Sequence, residues 1–264
     1  MKGYKAFNKG LICKGKQYKE NETFEEERAV PCHRGMHFCK NPFDVLNFYD
    51  LIDENGEFSD FARVETPDDA EVKTDDNIKY CTTKLKVGAK FSFAGFVKTC
   101  VDFVIEKTQS EKPDSGDYAQ IGSSGDYAKI GSSGNYAQIG SSGNSAKIGS
   151  SGYYAQIGSS GNSAKIGSSG YSAQIGSSGN SAKIGSSGDY AQIKSTGYDS
   201  IICCAGDDSC VSAKKGSWIT LAEWKYSYEK DRYVPKCVKT EYVDGERIKE
   251  DTMYKLIDGE FTEV

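Results

Sequence analysis

Gly116-Asp-Tyr-Ala-Gln-Ile-Gly-Ser-Ser124, followed at once by Gly125-Asp-Tyr-Ala-Lys-Ile-Gly-Ser-Ser133, opens a run of nine tandem nine-residue repeats that ends at Thr196. Two weaker copies follow, at 197–205 and 206–214. Self-similarity at a fixed short period marks a solenoid or array. The fourth residue of each of the nine is Ala and the sixth is Ile, from Ala119 and Ile121 to Ala191 and Ile193. A separation of two places both side chains on one face of an extended strand. The fifth residue, facing the other way, alternates between Gln (Gln120, Gln138, Gln156, Gln174, Gln192) and Lys (Lys129, Lys147, Lys165, Lys183). The pattern predicts a β-solenoid with two repeats per coil, an Ala/Ile core, a Gln ladder on one face and a Lys ladder on the other. Gly-Ser-Ser-Gly then supplies the corners, where glycine accepts positive φ and serine hydrogen-bonds the turn.

Three other readings of the stretch are weaker. A flexible Gly/Ser linker has no reason to hold Ala and Ile in register. Calcium-binding nonapeptide rolls need a Gly-Gly pair and a regular Asp, whereas Asp occurs here only at Asp117, Asp126 and Asp189. An ice-binding face is argued against by Lys or Gln at every outward centre.

The 264 residues carry a net charge of −5, so no overall basic character drives nucleic-acid binding. Mean hydropathy is −0.58, natural for a thin Ala/Ile core. The first residues lack the apolar segment of a secretory signal, and no run approaches the ~18 apolar residues of a membrane helix. Nine cysteines, with Cys203 and Cys204 adjacent, point to reduced thiols and a cytoplasmic location.

The fold class expected is mainly β, with residues 1–106 a small α+β domain, 107–115 a linker, 116–214 the solenoid and 215–264 a β cap. In the first domain, strands are expected at Tyr4–Phe7, Gln17–Tyr18, Met36–Cys39, Phe61–Glu65 and Tyr80–Val87, with a helix opening at Asn41-Pro42. Thr66 to Asn77 reads as an acidic exposed loop. Phe93 to Glu106 has helical spacing and is expected to lie as a lid over the first coil. Trp218–Trp224 reads as a strand closing the far end, followed by Asp-Gly hairpin turns at Val243–Glu246 and Ile257–Glu260.

Cys13, Cys32, His37 and Cys39 form the densest group with metal-ligating chemistry. Their spacing, with His33 between them, matches no finger or ribbon, and two core thiols beside a partly buried histidine near a turn explain it better. No phosphate-binding glycine loop, cofactor motif or catalytic constellation stands out, and no cofactor is expected. The tyrosines carry more. Tyr118, Tyr127, Tyr136, Tyr154 and Tyr190 occupy position three, and parity points them outward beside the ladders. Exposed aromatics on a flat regular surface suit protein recognition, although stacked tyrosines also serve as ladders between coils. The expected binding face is therefore Tyr118, Gln120, Tyr136, Gln138, Tyr154, Gln156, Gln174, Tyr190 and Gln192.

The flanks Tyr4–Phe7, Cys13-Lys-Gly15, Gly35–Cys39 with Asn41–Asp44, Leu221–Trp224 and Val243–Glu246 resemble a family of uncharacterised proteins of phages, prophages and gut bacteria. The resemblance implies the same order of small domain, short repeats and β cap, and an accessory role inside a bacterial host. It implies no activity and no site residue. The function expected is a non-catalytic interaction module, in its sharpest form an inhibitor of a host defence nuclease acting by protein contact. The alternatives are a virion or host-surface binding module and an enzyme within residues 1–106.

Overall fold

The computed structural model describes residues 1–52, 56–108 and 116–264. It divides into two compact units, Met1–Cys100 and Val101–Val264. The linker expected at 107–115 lies, from 109 onward, outside the described residues.

The first unit is built on a seven-stranded antiparallel sheet, ordered Thr23–Glu25, Lys84–Lys90, Asp60–Glu65, Lys2–Phe7, Met36–Cys39, Lys79–Thr82 and Val72–Lys73. Tyr80–Val87, read as one strand, is two, broken at Thr83. Its halves sit on opposite flanks of the sheet, so the sheet must curl around the single residue joining them. Phe7, Tyr18, Met36, Phe38, Val64, Leu85 and Val87 fill the inside of the curl. A helical turn does follow Asn41, whose Oδ1 accepts the Phe43 N–H at 3.0 Å, but Pro42 rather than Asn41 is its capping residue, and the turn is a short 3₁₀ segment, Phe43–Asn47. The acidic loop contains the two-residue edge strand Val72–Lys73.

The second unit is a β-solenoid of about six turns over residues 120–221. Each repeat gives one four-residue strand, from Gln120–Ser123 to Gln192–Ser195. Strands pair in parallel at a separation of 18 residues, Gln on Gln and Lys on Lys, so the Gln and Lys repeats form two separate sheets. Ile139, Ile157, Ile175, Ile193 and their Lys-sheet counterparts lie buried between them with the alanines. Position eight also points inward: the hydroxyls of Ser141, Ser150, Ser159, Ser168, Ser177 and Ser186 have no hydrogen-bond partner within the protein.

The corners differ from the expectation in their chemistry. Position-one glycines do not adopt positive φ; they are required by contact. A β-carbon on Gly152 would stand 1.8 Å from the Gly134 carbonyl oxygen one coil below. Positive φ falls at position three instead, between 54° and 61° from Tyr118 to Tyr190. Position two stitches the coils: Asn144 Oδ1 accepts the Asn162 N–H at 3.0 Å, and Asn162 Oδ1 accepts the Asn180 N–H at 2.8 Å.

Both ladders end by switching to antiparallel pairing, which occupies edges that would otherwise template further strands. Trp218–Ser227 continues the Lys sheet and folds back on Arg232–Tyr242. Cys210–Ser212, last of the Gln sheet, pairs with Tyr254–Ile257, itself in a hairpin with Glu260–Glu263. Asp258 (φ 50°) and Gly259 (φ 75°) make the expected Asp-Gly turn. Val243–Glu246 is no hairpin: Asp244 Oδ1 accepts the N–H groups of Glu246, Arg247 and Ile248, holding a local bend. The long hairpin turning at 228–231 carries no Asp-Gly signal and escaped the sequence reading.

The helix Phe93–Thr108 is present over the segment whose spacing predicts it. In the second unit, Val101 Cα lies 3.1 Å from where a β-carbon on Gly140 would stand, on the outer side of the Gln sheet. In the first unit, Phe96 stacks on Phe61 at 3.8 Å.

Candidate functional site

Position three was expected on a sheet face, but its left-handed backbone moves its side chain to the corner between the sheets. There the chain is pinned by stacking bonds, such as Tyr136 N–H to the Tyr153 carbonyl at 2.8 Å. Tyr118, Tyr136 and Tyr154 follow one another up this edge, ring centroids 5.0 Å apart and planes within 9° of parallel. Where Ser172 takes position three, Tyr171 at position two continues the run of rings, edge-on to Tyr154 at 5.9 Å and tilted against Tyr190 at 5.1 Å. Tyr153 flanks Tyr171 at 6.3 Å. The outcome is a ribbon of six tyrosines along the odd-numbered repeats, with Tyr118 62% exposed. Tyr153 and Tyr171 were not among the expected site residues. Their signal was visible all the same, because Tyr171 enters at position two in the repeat where position three becomes serine.

The glutamines of the expected face are placed differently. Gln120 Nε2 donates to Gln138 Oε1 at 3.1 Å and Gln138 Nε2 to Gln156 Oε1 at 3.3 Å, an amide ladder of the kind that ties stacked strands. Gln138 and Gln156 are buried, at 5% and 3% exposure, and Gly140 beside them lies under Val101. These two are structural. Gln120, Gln174 and Gln192 remain half-buried.

The Lys sheet is open. Lys129, Lys147, Lys165 and Lys183 are exposed and in register, and nothing lies within 4 Å of where β-carbons on Gly131, Gly149, Gly167 and Gly185 would stand. This surface has a row of ammonium groups beside a bare backbone floor.

The Cys/His group does not converge on a point. Cys39 is buried in the sheet, and burial pushes its thiol up. His37 Nε2 accepts the Cys32 N–H at 3.1 Å. Burial and the nearby Lys5, Lys79 and Lys14 push His37 down to about 4, so the ring stays neutral near pH 7. Cys13 Sγ accepts from Lys5 Nζ at 3.3 Å and Tyr49 Oη at 2.9 Å. Among the described residues no three His, Cys, Asp or Glu side chains are placed to hold a metal ion. No helix among them is long and apolar enough to cross a membrane.

Residues 1–99 match a domain of unknown function, DUF7666. No curated protein and no solved structure matches the chain.

Proposed function

We propose that the protein is a non-catalytic interaction module whose solenoid presents the tyrosine edge to a partner protein. The observation that carries this reading is the ribbon of Tyr118, Tyr136, Tyr154, Tyr171 and Tyr190, held on a regular scaffold with most rings exposed. Tyrosines bring large contact area with few rotatable bonds, which is why they concentrate at the energetic centres of interfaces. In its narrower form the reading is an inhibitor that occupies a nucleic-acid-acting defence enzyme inside a bacterial host. That form is supported by the resemblance to phage proteins and by the net charge of −5.

The test uses substitutions the scaffold already tolerates. Serine occupies position three at Ser145, Ser163, Ser172 and Ser181 with the same φ as the tyrosines, so Tyr136→Ser, Tyr154→Ser and Tyr190→Ser together leave the coil intact. Tagged wild type and triple variant are purified from bacterial lysate, and the co-purifying proteins are identified by mass spectrometry. The reading expects a stoichiometric partner with the wild type that the triple variant loses while melting as before. Identical co-purifying sets from the two proteins would sink it.

A further inference from the structure

The first unit contains a cavity of about 430 Å³, within the usual range for small-molecule sites. Its wall is unusually cationic. Lys5, Lys14, Lys16, Arg34 and Lys79 line it, against one carboxylate among the described residues, Glu26. Glu26 is paired with Lys16, and Arg34 with Glu27 at 3.0 Å outside the lining. Among the described residues, Lys5, Lys14 and Lys79 have no carboxylate partner. Lys14 reaches the wall because Cys13 and Lys16 pair across a two-residue turn, Lys14 (φ 49°) and Gly15 (φ 76°).

Lys5 is the decisive residue. It sits mid-strand in Lys2–Phe7, paired on Ala62, and only 4% of it is exposed. Its Nζ meets Cys13 Sγ at 3.3 Å and the rings of Phe7 and Tyr18 at 5.0 and 5.7 Å. A buried ammonium without a counter-charge is costly, and burial lowers the Lys5 pKa accordingly. Thiols and aromatic faces compensate poorly beside a phosphate or carboxylate. Next to these cations stand flat apolar walls: Phe48, with Lys79 Nζ 4.3 Å from its ring centre, and Tyr49.

We propose that this cavity binds a small phosphorylated organic molecule, its phosphate groups meeting Lys5, Lys14 and Lys79 and its flat apolar part lying against Phe48 and Tyr49. The bound anion supplies the counter-charge that the fold withholds from Lys5. This site lies within the domain matched at residues 1–99 and is separate from the tyrosine edge, so it stands or falls independently of the interaction reading.

Calorimetric titration of the full chain with ATP and with inorganic triphosphate, which carries the same three phosphate groups, tests it. Both are expected to bind, ATP more tightly because it adds an aromatic ring for Phe48 and Tyr49. Lys14→Ala and Lys79→Ala should each weaken binding about tenfold, the size of one lost charge-assisted hydrogen bond. Lys5→Met should abolish binding and raise the melting temperature, a combination that misfolding cannot produce. Equal affinity for the two probes would confine the site to the phosphates and overturn the proposed aromatic contact. No heat up to about 1 mM of either probe, at the weak end of specific binding, would overturn the proposal. So would binding that survives Lys14→Ala and Lys79→Ala but is lost in Lys147→Glu on the solenoid.

Discussion

The carbonyl oxygen of Gly143 stands 2.0 Å from where a β-carbon on Gly161 would lie. That approach is backbone on backbone, repeated at the position-one glycines from Gly134 to Gly206, and neither partner can retreat without shifting the coil it belongs to. Gly161→Ala is therefore expected to destabilise the solenoid by about 3 kcal/mol or more, the upper range for overpacking. Gly167, six residues on, is the control: open space surrounds its missing side chain and its φ is ordinary. Gly167→Ala should hold or raise stability by up to about 1 kcal/mol through reduced chain entropy. Denaturant midpoints of the two variants check this, and similar losses in both would refute contact as the reason for the corner glycine.

Asn162 both receives and passes on a coil-to-coil bond. Its N–H donates to Asn144 Oδ1 and its own Oδ1 accepts from Asn180 N–H. Asn162→Ala leaves the Asn180 N–H without its acceptor and should cost about 1 kcal/mol, the usual worth of a side-chain cap on a backbone donor. Asn162→Asp keeps the acceptor, as Asp126 does beneath Asn144 at 2.7 Å, and should stay close to wild type. Thermal melts of the two variants separate loss of the acceptor from loss of the amide.

What the sequence shows of the fold follows from period two, and what it hides lies where that period breaks. Ala155 and Ile157 could be assigned inward because parity holds along an extended strand, and both are buried. Parity then carried Tyr154 onto a sheet face, although its φ of 56° had already turned the chain into a corner. Left-handed backbone at a tyrosine is uncommon, so propensity gave no warning. The burial of Gln138 and Gln156 was beyond reach for another reason: Val101 comes from a distant helix, and nothing in a repeat announces what will lie on it. The same limit hid the cavity. Lys5, Cys13, Tyr49 and Lys79 are spread over most of the first unit, and only the curl forced at Thr83 and the turn at Lys14-Gly15 gather them.

Ile157 is 2% exposed in a core only two side chains thick. Ile157→Asp places an uncompensated charge there and should cost several kcal/mol, enough to unravel neighbouring coils. Circular dichroism should lose β signal, and the melt should shift down or broaden. Ser159→Ala, on the same strand, removes a buried hydroxyl without a partner and should be neutral or stabilising by up to about 1 kcal/mol. An unchanged melt for Ile157→Asp would overturn the inward assignment of position six.

His37 makes the first unit sensitive to acid. Its folded-state pKa, about 4, lies below the ordinary 6.5, so the unfolded chain binds the extra proton first. The stability that neutral His37 contributes is complete above about pH 6.5 and is lost as pH falls from there toward 4. Protonation also ends the bond that Nε2 accepts from Cys32 N–H. Carboxylates titrate in the lower part of this window, so the informative quantity is the difference between wild type and His37→Gln. The variant's side-chain oxygen can still accept that bond but binds no proton. Unfolding free energies measured from pH 7.5 to 4 should fall less steeply for His37→Gln, the gap opening below about pH 6.5. Parallel curves would show that His37 titrates alike in the folded and unfolded chains, and that the surrounding lysines do not act on it.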